Sequence, residues 1–177
     1  MLQSESDPDL QMMQRCIALA KSSADDGEYP FAAVIASNGA FLCESANMVK
    51  RDHDVNSHAE IVAISKAQAI RGTHLSDCTI YATVEPCAQC SYAIREARIG
   101  RVVYGLRSPL MGGHSRWNIL ADPDLSTVLP EVFLPAPACA AAPSAAPSAA
   151  KLPEHRETHL RLRRGNSDSA PHARSRN

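Results

Sequence analysis

The sequence predicts an α/β fold: a mixed five-stranded sheet with helices on both faces, in three layers. Three observations carry that expectation. Apolar side chains recur at helical spacing over residues 10–24, 58–71 and 87–98. Short apolar runs of strand length lie between them at 29–37, 40–47, 78–84 and 101–105. The later elements form two strand–helix–strand units in series, an order that gives a sheet a parallel portion and covers it with helices.

Each element has local reasons. Leu10, Met13, Ile17, Ala20 and Ala24 make one stripe of a first helix, which Asp7-Pro8 starts and Asp25-Asp26-Gly27 ends. Tyr29 to Ser37 reads as a buried strand, Asn38-Gly39 as a hairpin turn, and Ala40 to Asn47 as the partner strand. Met48 to Ser57 is a polar loop. His58 to Arg71 is helical, with Gly72 as its stop. Cys78 to Val84 is a third strand, which Glu85-Pro86 breaks. Cys87 to Arg98 reads as a helix that ends before Gly100, and Arg101 to Gly105 as a fourth strand. Ser115 caps an expected short helix over Arg116 to Ala121, and Val128 to Leu134 is a fifth strand that contains Pro130.

A folded domain is therefore expected over residues 1–134. Residues 135–150 contain nine Ala, four Pro, two Ser and one Cys, a composition with no packable pattern. Residues 151–177 are polar and basic, and the whole stretch 135–177 reads as a disordered tail. That tail holds seven Lys/Arg against three acids, so residues 1–150 hold the remaining 11 basic and 16 acidic residues, a balance of −5. An acidic body does not offer a broad nucleic-acid-binding surface.

No apolar run is long enough to span a membrane, and the polar, acidic start lacks the pattern of a secretory signal. A cytoplasmic protein is expected. Among its six cysteines a disulfide framework is not expected in that setting.

Chemistry concentrates in His58-Ala59-Glu60 and Pro86-Cys87-Ala88-Gln89-Cys90. Zinc takes imidazole and thiolate ligands, and a catalytic zinc site uses three protein ligands with one position open for water. His58, Cys87 and Cys90 supply that count. Cys87 and Cys90, three apart at a helix start, share a face. Glu60 is not needed as a ligand. Two residues beyond His58, it can take a proton from water at the open position and pass protons to a ring nitrogen and a leaving amine. A structural zinc site would need a fourth ligand. His53, His74 and His114 are available, at spacings unlike common zinc fingers. A redox Cys pair would leave His58-x-Glu60 unexplained.

His-x-Glu followed by Pro-Cys-x-x-Cys is the signature of zinc deaminases, and both halves occur here in order, with 28 residues between His58 and Cys87. The chain resembles the cytidine/deoxycytidylate deaminase superfamily, in the branch of tRNA adenosine deaminase, guanine deaminase and cytosine deaminase. The resemblance spans roughly residues 8–134. It includes Tyr29-Pro30-Phe31-Ala32-Ala33-Val34, Asn47 and the run from Ala97 to Gly105. It implies a cytidine-deaminase-like fold, a Zn2+ cofactor and a homodimer. It implies that Asn47 contacts the target base and Phe31 lines the pocket, with backbone groups around Ala59 and Glu85 adding polar contacts. It also places the loop bearing His114 at the mouth of the site. Trp117 is open to stacking on a base or to packing.

Three functions compete: a deaminase of a free nucleobase or nucleoside, an adenosine deaminase acting on a tRNA anticodon loop, and a non-catalytic zinc-stabilised binding module. The segment from Gly105 to Leu120 resembles the tRNA-acting enzymes. The acidic charge balance favours the small-molecule reading.

Overall fold

The computed structural model describes residues 7–134. The expected disordered stretch 135–177 lies outside the described residues. Helix α1 (Pro8–Asp25) begins where expected: the Asp7 carboxylate accepts from the N–H of Asp9, and Pro8 occupies the first turn. Strands β1 (Ala32–Ser37) and β2 (Ala40–Ala46) pair antiparallel through the Asn-Gly turn. Both turn residues have positive φ, +49° at Asn38 and +80° at Gly39, the conformation this dipeptide favours. A four-residue helix α2 (Val49–Asp52) interrupts the segment expected to be loop. Then follow α3 (Ala59–Arg71), β3 (Cys78–Val84), α4 (Ala88–Glu96), β4 (Arg101–Leu106) and β5 (Glu131–Phe133).

The sheet order is β2-β1-β3-β4-β5. β1 runs antiparallel to both β2 and β3, whereas β3, β4 and β5 run parallel. Every residue of β1 is buried, as a strand covered on both faces must be. Its side chains alternate. Ala32, Val34 and Ala36 meet Met13, Cys16 and Ala20 of α1, while Ala33 and Ile35 join Ala63, Ile64, Ile80, Ile94 and Val102 in the core on the opposite face. Three layers with a mixed sheet were expected and are found.

Several boundaries differ. The first strand starts at Ala32, not Tyr29. Pro30 sits at the centre of a tight turn in which the N–H of Phe31 donates to the carbonyl of Tyr29, and this lifts Phe31 out of the ladder. The helix expected to run to Arg98 ends at Glu96. Arg98 takes a left-handed φ of +55°, Ile99 N–H donates to the Ile94 carbonyl, and Arg98 N–H donates to that of Arg95. This is a Schellman ending built without glycine.

The helix expected over Arg116 to Ala121 does not form. Asn118 has a φ of +55°, and the buried Arg95 guanidinium collects the carbonyls of Ile119, Asp122 and Ser126 at 2.5–2.7 Å. Those carbonyls satisfy a cation instead of a helical ladder. The fifth strand is confined to the three residues after Pro130, whose missing N–H prevents an earlier start. Cys16, Cys43 and Cys78 are buried free thiols, as expected of small apolar residues, and Cys139 lies outside the described residues.

Candidate active site

The ends of β1, β2 and β3 and the first turns of α3 and α4 converge on one cleft. His58 and Cys87 are the N-cap residues of α3 and α4. Both have extended backbone, with φ −66° in each and ψ 147° and 174°. Neither side chain caps its helix, so both are free to face the same point. Cys90 follows one turn into α4 and is fully buried.

The three donor atoms form a compact triangle. Cys87 Sγ lies 3.6 Å from Cys90 Sγ, and His58 Nδ1 lies 3.6 Å and 3.4 Å from the two sulfurs. Tetrahedral zinc with ordinary bond lengths would separate two sulfurs by about 3.8 Å and sulfur from nitrogen by about 3.6 Å. The set fits zinc without rearrangement. Among the described residues it comprises these three side chains alone. His53, His74 and His114 are not in it, so among the described residues no protein group fills a fourth position.

The electrostatics suit a cation. The Cys87 thiol is pulled down to about 5, first by the hydrogen bond from Cys90, then by N–H groups at the start of α4 acting against burial. The same shared proton and burial push Cys90 up. Two positive helix ends point at the sulfurs and favour the thiolate form. Gln89 Nε2 donates to Asn56 Oδ1 at 2.9 Å, which ties the loop before α3 to α4.

Glu60 stands beside this set and lines the cleft. It is buried, and burial pushes its carboxyl above the ordinary value, opposed by its own backbone N–H.

Phe31 and Asn47 both line the cleft. Asn47 is 5% exposed, and its N–H donates to the Phe31 carbonyl at 2.8 Å. Glu85 also lines the cleft, with its carboxylate and its N–H engaged. Its carboxylate accepts from Ser108 N, His114 N, Ser115 N and Ser115 Oγ at 2.6–3.1 Å, and its N–H donates to the Leu106 carbonyl. Glu85 therefore shapes the 108–115 loop.

Ala59 is wholly buried, and neither it nor His114 is among the residues that line the cleft. The ring of His114 is held by the Tyr104 hydroxyl at 3.1 Å. Trp117 is half exposed under the guanidinium of Arg116. Sequence reasoning missed Thr83, Ser108 and Met111, which join Ala32 and Val84 in the wall. No motif marks them, because β3 and the carboxylate-held loop bring them in.

The cytidine and deoxycytidylate deaminase zinc-binding region matches residues 6–106, which include all three candidate ligands and Glu60. The chain belongs to this family. Among similar proteins of this deaminase family, the tRNA-specific adenosine deaminase of Aquifex aeolicus is 36% identical over 109 residues, covering 60% of this chain and 72% of that protein. A solved structure from studies of A-to-I editing by tRNA:A34 deaminases superposes with a TM-score of 0.67 at 31% identity, covering 71% of this chain and 91% of that one. Guanine deaminase from Bacillus subtilis superposes with a TM-score of 0.54 at 37% identity, covering 55% and 64%. Two other curated relatives are much longer proteins, of which this chain spans 21% and 8%. The deaminase fold is thus confirmed from sequence and structure, and zinc is the metal its ligand set is built for.

Proposed function

We propose that this protein is a hydrolytic deaminase that replaces an exocyclic amine of a nucleobase or nucleoside with a carbonyl and releases ammonia. The observation that carries the reading is a buried carboxyl, Glu60, beside a His/Cys/Cys set that has no fourth protein ligand among the described residues. His58, Cys87 and Cys90 would hold zinc, which would supply a Lewis acid that lowers the pKa of a water to roughly 7. Glu60 is placed to accept a proton from water in the cleft. It then delivers protons to the ring nitrogen and the departing amine, so amine plus water becomes carbonyl plus ammonia. Phe31 offers a ring face, and Asn47 a polar edge.

The cleft volume of about 210 Å³ equals about seven waters of liquid, enough for one base. The −5 balance of residues 1–150 favours a free base or small nucleoside. A tRNA adenosine substrate is the second reading, favoured by the likeness to tRNA deaminases and by the half-exposed Arg116–Trp117 pair beyond the loop. An ammonia-release screen over guanine, cytosine, adenine, their nucleosides and a tRNA anticodon stem-loop separates the two. Turnover of a free compound supports the first, and turnover of the stem-loop alone supports the second.

The reading extends to a cytoplasmic homodimer. Free thiols suit a reducing compartment, and no helix among the described residues is long and apolar enough to cross a membrane. Leu110 and Met111 beside the cleft and Tyr92 on α4 expose apolar surface that a second copy would cover. Sedimentation of the purified protein tests the dimer.

A further inference from the structure

The residue that holds Asn47 in place lies outside every motif. Glu28, in the turn between α1 and β1, divides its carboxylate between two pairs of donors. Oε1 accepts from the Tyr29 N–H at 2.8 Å and from Asn47 Nδ2 at 3.0 Å. Oε2 accepts from the N–H groups of Lys50 at 2.8 Å and Arg51 at 3.1 Å. The Met48 side chain does not cap α2, so this carboxylate from another part of the chain takes over the cap. Burial raises the Glu28 carboxyl, but these donors outweigh it and hold it below its ordinary value.

An ionised carboxylate can only accept, so it selects the NH2 side of the Asn47 amide. The amide then cannot flip. Oδ1 and the second amide hydrogen are left for the cleft in a fixed order. The same carboxylate anchors the turn that carries Phe31, whose carbonyl holds the Asn47 N–H. One side chain thus sets both walls that a base would meet.

We propose that Glu28 is a positioning residue that acts through Asn47 to fix the donor and acceptor pattern the cleft presents to a substrate. This rests on the deaminase reading. In a flipped or mobile Asn47, each hydrogen bond to the base would be mismatched or would have to be ordered anew.

The test is a double-mutant cycle on the zinc-loaded full chain. Glu28→Ala is expected to lower kcat/KM by about 10- to 100-fold with zinc content unchanged. In an Asn47→Ala background the same change is expected to cost less than about threefold, while any loss of Tm persists in both. Glu28→Gln keeps the size but places an NH2 against N–H donors, and an intermediate loss is expected. Equal factors in the two backgrounds would overturn the inference, because Glu28 would then act on the fold at large. A wild-type protein inert on every base, nucleoside and stem-loop would sink the deaminase reading instead. The NMR signal of the Asn47 side-chain amide then decides the positioning. A signal that loses its dispersion in Glu28→Ala sustains it, and an unchanged signal overturns it.

Discussion

Gly112 lies so close to the Glu85 carboxylate that a methyl group in place of its hydrogen would overlap both carboxylate oxygens. The contact is tight because the carboxylate gathers the 108–115 loop around itself, and that loop brings Ser108 and Met111 to the cleft. Gly112→Ala is therefore expected to push the loop outward. Overpacking of this kind costs about 1–3 kcal/mol. The displaced wall should lower kcat/KM by about 10- to 100-fold while zinc content stays whole. Steady-state kinetics with metal analysis checks this, and wild-type kinetics would mean that the loop yields without consequence.

Glu60→Gln keeps the shape of the side chain and removes its ability to accept a proton. Zinc is expected to remain bound, with turnover down by about 100- to 10,000-fold. Loss of metal in this variant would make Glu60 a ligand and overturn its assigned role.

The elements nearest the chemistry were the most legible in the sequence. His58 and Cys87 fall at helix starts because each follows a polar or Pro-broken segment and precedes an apolar-periodic run, and both prove to be N-cap residues. The hairpin was legible because Asn-Gly takes positive φ at low cost. The segment after β4 was not. Its conformation is set by Arg95 and Glu85, two buried charges that collect backbone groups 23 to 31 residues away, and no local pattern announces them. Glu28 escaped notice for the same reason: an acid in a polar turn has no period, and apart from Tyr29 its partners Asn47, Lys50 and Arg51 lie 19 to 23 residues further along.

Metal removal should be visible in stability. A ligand that binds only the folded state adds RT ln(1 + [L]/Kd), about 4 kcal/mol at a thousandfold excess over Kd. Dialysis against a chelator is expected to lower Tm by roughly 10 °C and zinc to restore it. Cys87→Ser should bind far less than about one zinc per chain. An unchanged Tm after complete metal removal would contradict zinc binding by His58, Cys87 and Cys90.

Asp9 and Arg101 join α1 to β4 through two hydrogen bonds of 2.6 and 2.7 Å, and the Tyr81 hydroxyl donates to the same carboxylate. The Arg101 guanidinium holds the Asp9 carboxyl below its ordinary value, against burial. A depressed carboxyl stabilises the fold above its unfolded pKa, near about 3.9, and loses that contribution as pH falls through the lower folded value. Asp9→Asn is expected to lower Tm by about 3–5 °C at neutral pH, corresponding to roughly 1 kcal/mol for this partly exposed pair. The difference should shrink below about pH 4. A deficit independent of pH would assign the effect to packing.

The most direct test of the account is deamination in heavy-oxygen water by the zinc-loaded protein, with ammonia and product mass measured together across free bases, nucleosides and a tRNA anticodon stem-loop. The account predicts equal amounts of ammonia and product on at least one of them, a solvent oxygen in the new carbonyl, and loss of both signals in Glu60→Ala. Ammonia from none of these compounds, or activity intact in Glu60→Ala, would contradict it.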